Sequence, residues 1–136
     1  MQPKMTHIAK QVSSLDETIA FYQSFCGLTL VHERKDDQGV RQVAWLAEPG
    51  KEEQFVFVFI NGTGPGKQAA KDYSHIGFAL ASKTDVDAIA KRAETAGCLA
   101  WPITEEPPPV GYYCGVRDPE GQIVEFSYGQ PLGDPL

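Results

Sequence analysis

The chain has 136 residues, 42% of them hydrophobic and 22% charged, which is one ordinary domain of globular sequence and excludes disorder, a fibrous repeat or a two-domain enzyme. Eighteen acidic against twelve basic residues leave a net charge of -6, which disfavours a charge-driven grip on nucleic acid or an anionic membrane. The longest apolar run, Phe55 to Ile60, falls far short of the roughly 20 residues of a membrane span, and no signal-like stretch opens the chain, so a soluble, cytoplasmic protein with a small-molecule partner is expected.

His7-Ile8-Ala9 opens a first strand. Ser14-Leu15-Asp16-Glu17 has the form of a capping box, and apolar positions Leu15, Ile19, Tyr22 and Cys26 then recur at helical spacing, predicting a helix from Leu15 to Phe25 that stops at Gly27. The period changes to two over Leu28 to Arg34, Val40 to Leu46 and Gln54 to Ile60, three strands separated by Asp36-Asp37-Gln38-Gly39 and Glu48-Pro49-Gly50. Residues 61–73, with Gly62, Gly64, Pro65 and Gly66, read as a linker, long enough to let two chains exchange halves. The order then repeats. A strand from Ser74 to Ala81 leads to a helix from Asp85 to Thr95, capped by Thr84 and ended by Gly97, followed by strands Leu99 to Ile103, Gly111 to Arg117 and Ile123 to Tyr128. Between the last three strands, 104–110 holds Pro107-Pro108-Pro109 and is expected to be extended and stiff, a wall or lid over a site. The organisation is one domain, 1–136, with module one at about 5–60, a linker at 61–73 and module two at about 74–130. Cys26, Cys98 and Cys114 are too few for a disulfide scaffold and lack zinc-finger spacing, so three reduced, mostly buried thiols are expected.

Strand alternation sorts the side chains by face. Ile76, Phe78 and Leu80 suit packing against a helix, which leaves His75, Gly77 and Ala79 on the other side. Ile8 and Val12 take the helix-facing role in the first strand, leaving His7, Ala9 and Gln11 opposite. In the last strand Val124, Phe126 and Tyr128 share one face, and Ile123, Glu125 and Ser127 the other. A bare carboxylate within Ile123-Val124-Glu125-Phe126 would be costly to bury, so Glu125 needs a partner. Taken singly, a strand histidine is commonly a hydrogen-bonded structural residue, and Glu125 could pair with Arg117. The equivalence of His7 and His75 under the repeat favours a further reading. Two histidines and a carboxylate on non-helical strand faces are the ligand types of an open metal site, suited to iron, manganese, nickel or zinc. His32 has no counterpart and is assigned to the surface.

These features together, with Ile19-Ala20-Phe21-Tyr22 before Gly27-Leu28 and Asp118-Pro119-Glu120-Gly121-Gln122-Ile123-Val124-Glu125 near the end, resemble the vicinal oxygen chelate superfamily. That group includes glyoxalase I, bleomycin-resistance proteins, fosfomycin-resistance transferases, methylmalonyl-CoA epimerase and extradiol dioxygenases. The resemblance covers about residues 5 to 130. It implies an α+β fold of two βαβββ modules forming a partly closed mixed-sheet barrel around a central site, and a homodimer. Carried over residue by residue, it matches the metal ligands to His7, His75 and Glu125. The fourth position, a glutamate in glyoxalase I, aligns with Phe57, so three ligands remain and glyoxalase I and epimerase chemistry are disfavoured. The tyrosine of the extradiol fingerprint is replaced by Gly115, with Tyr113 two residues earlier. Fosfomycin enzymes need cations for a phosphonate, and 126–136 contains no Lys or Arg.

The expected substrate pocket comprises Phe55, Phe57, Phe59, Trp101 and Tyr113, an apolar surround for an apolar or aromatic, oxygen-bearing substrate. No residue is singled out as the catalytic acid or base. The expected function is that of a metal-dependent lyase, isomerase or dioxygenase. The alternative is a metal-free drug-binding protein of the bleomycin-resistance type, sequestering a cationic drug in an acidic groove.

Overall fold

The computed structural model describes residues 1–133; the last three positions of the 126–136 stretch without Lys or Arg lie outside them. Two compact units divide at Gly66/Lys67. The first contains β1 (His7–Val12), α1 (Leu15–Cys26), β2 (Thr29–Lys35), β3 (Arg41–Ala47) and β4 (Val56–Asn61), and the second β5 (Ile76–Ala79), α2 (Lys83–Ala96), β6 (Leu99–Glu106), β7 (Gly111–Arg117) and β8 (Ile123–Tyr128). This is the α+β fold of two βαβββ modules that the resemblance implies. The sheet orders are β1-β4-β3-β2 and β5-β8-β7-β6, so each four-stranded sheet is open. In each, the last strand pairs parallel with the first, while the other pairs are antiparallel. No helix of the described residues is long and apolar enough to cross a membrane.

Each helix covers one face of its own sheet. In the first unit Leu15, Ile19 and Tyr22 of α1 bury against Ala44, Leu46 and Phe59. Tyr22 and Phe59 meet with ring centroids 5.0 Å apart. In the second, Val86, Ala90 and Ala93 of α2 cover Cys114, Val116, Val124 and Phe126, each large side chain contributing about 1.5–3 kcal/mol through burial. Both helices end on a glycine in the left-handed region, Gly27 at φ 66° and Gly97 at φ 76°, a conformation that costs a Cβ-bearing residue more.

Several local expectations are corrected. Ser14 occupies the cap position of α1, but its hydroxyl donates to Glu17 Oε2 at 2.7 Å and makes no cap bond to the backbone. Helix α2 begins two residues before the expected start, with Ser82 rather than Thr84 as its cap, accepting from the Asp85 amide at 3.1 Å. The stretch 104–110 is not uniformly extended. Strand β6 continues to Glu106, and Pro107 to Val110 form a turn closed by the Val110 amide on the Pro107 carbonyl. Ile8 lacks a helix above it because α1 lies over β2, β3 and β4, and it stays 40% exposed on the edge strand. None of the three cysteines is in a disulfide, but only Cys114 is buried, the other two being half-buried.

Candidate functional site

Across the second sheet the register aligns one residue from each strand: Trp101 opposite Gly115, Gly115 opposite Glu125, and Glu125 opposite Gly77. A Cβ at Gly77 would lie 3.6 Å from Glu125 Oε2, so the carboxylate has a glycine on either side. This face, away from α2, floors a cavity of about 470 Å3 whose lining includes Tyr73, His75, Trp101, Thr104, Tyr113 and Glu125, with no Lys or Arg among the described residues.

Glu125 is 7% exposed. Its partner is His75, whose Nε2 lies 3.0 Å from Glu125 Oε2. Arg117 is engaged elsewhere, donating to the carbonyls of Gln68 at 3.2 Å and Gly121 at 2.8 Å. The other ring nitrogen of His75, Nδ1, is 2.7 Å from the Tyr73 carbonyl. A carbonyl can only accept, so Nδ1 carries a proton, and the remaining nitrogen directs either a second N–H or a lone pair at Glu125. A lone pair facing a carboxylate is repulsive. The pair therefore calls for something positive between its two atoms, a proton or a metal ion.

Aromatic rings surround this pair. Trp101 stands edge to face with His75 at 5.4 Å and with Tyr113 at 6.5 Å. The Tyr113 phenol donates to Glu106. That bond, then burial and the Glu106 charge, push its pKa up to about 12, so it is a neutral hydrogen-bond donor at ordinary pH. Cys114, directly beneath on the helix side, is raised to about 11 by burial first, and is no nucleophile.

What sequence reasoning missed is Gln68. This side chain, 6% exposed, donates from Nε2 to the carbonyls of Asp72 and Ser74, both at 2.6 Å, and accepts from the Ile123 amide at 3.1 Å. It grips the peptide on both sides of Tyr73, the residue whose carbonyl orients His75. Part of the stretch read as a linker is thus a strap that sets the imidazole. The local signal is only a glutamine in a Gly/Lys/Ala-rich segment. Gln68→Ala is expected to cost about 1–3 kcal/mol, because the buried Ile123 amide and two partly buried carbonyls lose their partner, and denaturant unfolding measures it.

In the first unit the face opposite α1 carries His7 and Ala9 of β1, Val56, Val58 and Ile60 of β4, and Trp45 of β3, lining a cavity of about 560 Å3. His7 Nδ1 lies 3.0 Å from Thr6 Oγ1. Of the three phenylalanines expected in the pocket, Phe55 lines this cavity, whereas Phe57 and Phe59 share the opposite face, Phe59 beneath α1 and the two rings 6.4 Å apart. The repeat also relocates the fourth ligand position. Ala9 pairs with Val58 as Gly77 pairs with Glu125, so the counterpart of Glu125 is Val58, not Phe57. It is apolar all the same. Glu52, Glu53 and Gln54 border the His7 cavity from the segment before β4. Among the described residues no three His, Cys, Asp or Glu side chains are gathered into a metal-binding group; the expected set is His75 and Glu125 together in the second unit and His7 in the first. His32 is exposed, edge-on to Trp45 at 5.1 Å.

A family model for the Glyoxalase/Bleomycin resistance protein/Dioxygenase superfamily matches residues 4–126. The chain belongs to this superfamily. Within reach of it, the Pseudomonas aeruginosa protein PA2024, itself uncharacterised, is 55% identical over 133 residues, covering 98% of this chain and 94% of its own. The superfamily fold is shared with the fosfomycin resistance protein FosX of Listeria monocytogenes, solved with Mn(II) and a sulfate ion, at 18% identity and a TM-score of 0.71 over 96% of this chain and 94% of that one. It is shared also with the trypanothione-dependent glyoxalase I of Leishmania major, at 19% identity and a TM-score of 0.66 over 94% and 88%.

Proposed function

We propose that this protein is a divalent-metal-dependent enzyme that holds two neighbouring oxygens of a small apolar or aromatic substrate, with His7, His75 and Glu125 as the metal ligands and a homodimer as the working form. The observation that carries this reading is the His75–Glu125 pair, an imidazole nitrogen and a buried carboxylate oxygen 3.0 Å apart with the imidazole held from behind by the Tyr73 carbonyl. Backing a ligand histidine through its other nitrogen fixes its tautomer and raises its basicity. The donor set, nitrogen and carboxylate oxygen, suits iron, manganese, nickel or zinc. A divalent ion bound there would supply Lewis-acid stabilisation of charge developing on substrate oxygen, in a lyase, isomerase or dioxygenase reaction.

The chain's own residues narrow the reaction and the substrate. Val58 leaves no carboxylate at the position that in glyoxalase I moves the substrate proton. The His75 cavity presents no Lys or Arg to a phosphonate, which separates this protein from a fosfomycin-type substrate. Trp101, Tyr113 and Tyr73 give the cavity an aromatic wall beside the pair, and the neutral Tyr113 phenol, whose proton is committed to Glu106, offers the cavity an acceptor oxygen. The same aromatic walls, with a carboxylate and no cation, also suit a cationic drug, and metal content separates the two readings. Protein purified without chelator is expected to carry about one divalent ion per chain and the His75→Ala variant none. A wild-type protein free of metal that binds a cationic drug tightly overturns the enzyme reading.

A further inference from the structure

Trp101 is placed as a platform, and Gly115 is what lets it lie there. A Cβ on Gly115 would come within 2.6 Å of the Trp101 ring atoms Cδ2 and Cε3, so one face of the indole rests directly on the β7 backbone. The rings of His75 and Tyr113 stand nearly perpendicular to it, at 82° and 87°. Since Trp101 also lines the cavity, its second face is turned inward. A flat surface between two upright rings accepts another flat ring, offset-stacked. With no Lys or Arg in the lining, no side-chain cation competes with the aromatic walls for the ligand.

We infer that the His75 cavity selects a planar aromatic ligand, stacked on the inward face of Trp101, and that Gly115 determines this specificity by admitting the indole. The inference rests on the proposed function only in taking this cavity as the substrate site; the stacking itself needs no metal. Its consequence for the chemistry is positional. A ring lying on Trp101 directs its oxygen substituents along the same sheet row toward Glu125 and His75.

The test is calorimetric titration of chelator-treated full-length protein with 2-naphthol and, in parallel, with decahydro-2-naphthol, which keeps the carbon skeleton and hydroxyl but has no π system. The wild type is expected to prefer the aromatic probe by about fivefold. Trp101→Leu is expected to remove that preference and Trp101→Phe to restore much of it. Gly115→Ala, which displaces the indole, should behave like Trp101→Leu while retaining the tryptophan. Equal affinities in the wild type, binding of neither probe, or a preference that survives in Trp101→Leu overturns the inference. Because no metal is present in the titration, stacking can fail while stoichiometric metal binding holds, and the reverse, so the two readings fall separately.

Discussion

Glu125→Gln is expected to weaken divalent-metal binding by at least about 100-fold while leaving the protein folded, a larger loss than the 10- to 100-fold typical of changes behind the ligands. The substitution keeps the size and shape of the side chain and removes its charge. In the metal-free protein the new amide can donate to His75 Nε2, a nitrogen that has its lone pair available once Nδ1 is committed to the Tyr73 carbonyl. A buried, solvent-poor carboxylate is thereby replaced by a neutral hydrogen bond, which is close to neutral for stability. The expected pattern is therefore a thermal midpoint near that of the wild type, with metal titrations showing the affinity collapse. His75→Ala behaves differently. It leaves Glu125 in the cavity floor facing no partner at Oε2, so metal binding and stability should both fall. Retention of wild-type metal affinity by Glu125→Gln would remove this carboxylate from the ligand set.

The largest stability effect is expected at Phe59→Ala, about 3–5 kcal/mol. Phe59 is 1% exposed and its ring lies against Tyr22, which is wholly buried, with Ala44 as its cross-strand neighbour. Removing the ring opens a void between α1 and the sheet that neighbouring side chains cannot fill. Against the 5–15 kcal/mol that ordinarily separates folded from unfolded protein, that is a large share. Phe57→Ala, on the same face but only half-buried, should cost clearly less. Val58→Ala, on the cavity face, should cost about 1 kcal/mol. Urea unfolding of the three variants ranks them directly, and a Val58 effect as large as that of Phe59 would contradict the placement of β4.

That placement is where the sequence is hardest to read. Strands with polar residues on one side, such as β8 with Glu125 and Ser127, sort themselves by alternation, and the repeat of histidine, helix, glycine stop and three strands is visible before any coordinate. Phe55 to Ile60 is apolar on both faces, so period two carries no direction, and only the pairing of Ala9 with Val58 decides which side chains meet the helix. The row of three phenylalanines invites a pocket, yet two of them belong to the core. Cross-strand neighbours are equally silent. Gly115 reads as a missing tyrosine until Trp101 is found lying on it, a contact between strands that no local pattern announces. Gln68 is a third case, since a buried amide bridging carbonyls and an amide on separate segments has no periodic signature. At the start of α2, Ser82 and Thr84 both offer a hydroxyl, and the Asp85 amide selects the earlier one.

The two tryptophans of the chain fall one in each unit, and each has a histidine ring against it, His32 beside Trp45 at 5.1 Å and His75 beside Trp101 at 5.4 Å. Indole emission responds to a neighbouring imidazole that gains a proton or a metal. Each half of the molecule thus carries its own optical probe without any label. Trp45→Phe leaves a signal that watches the His75 cavity alone, while Trp101→Phe leaves one that watches His32 and the His7 cavity that Trp45 also lines, so each half can be followed by light separately from the other.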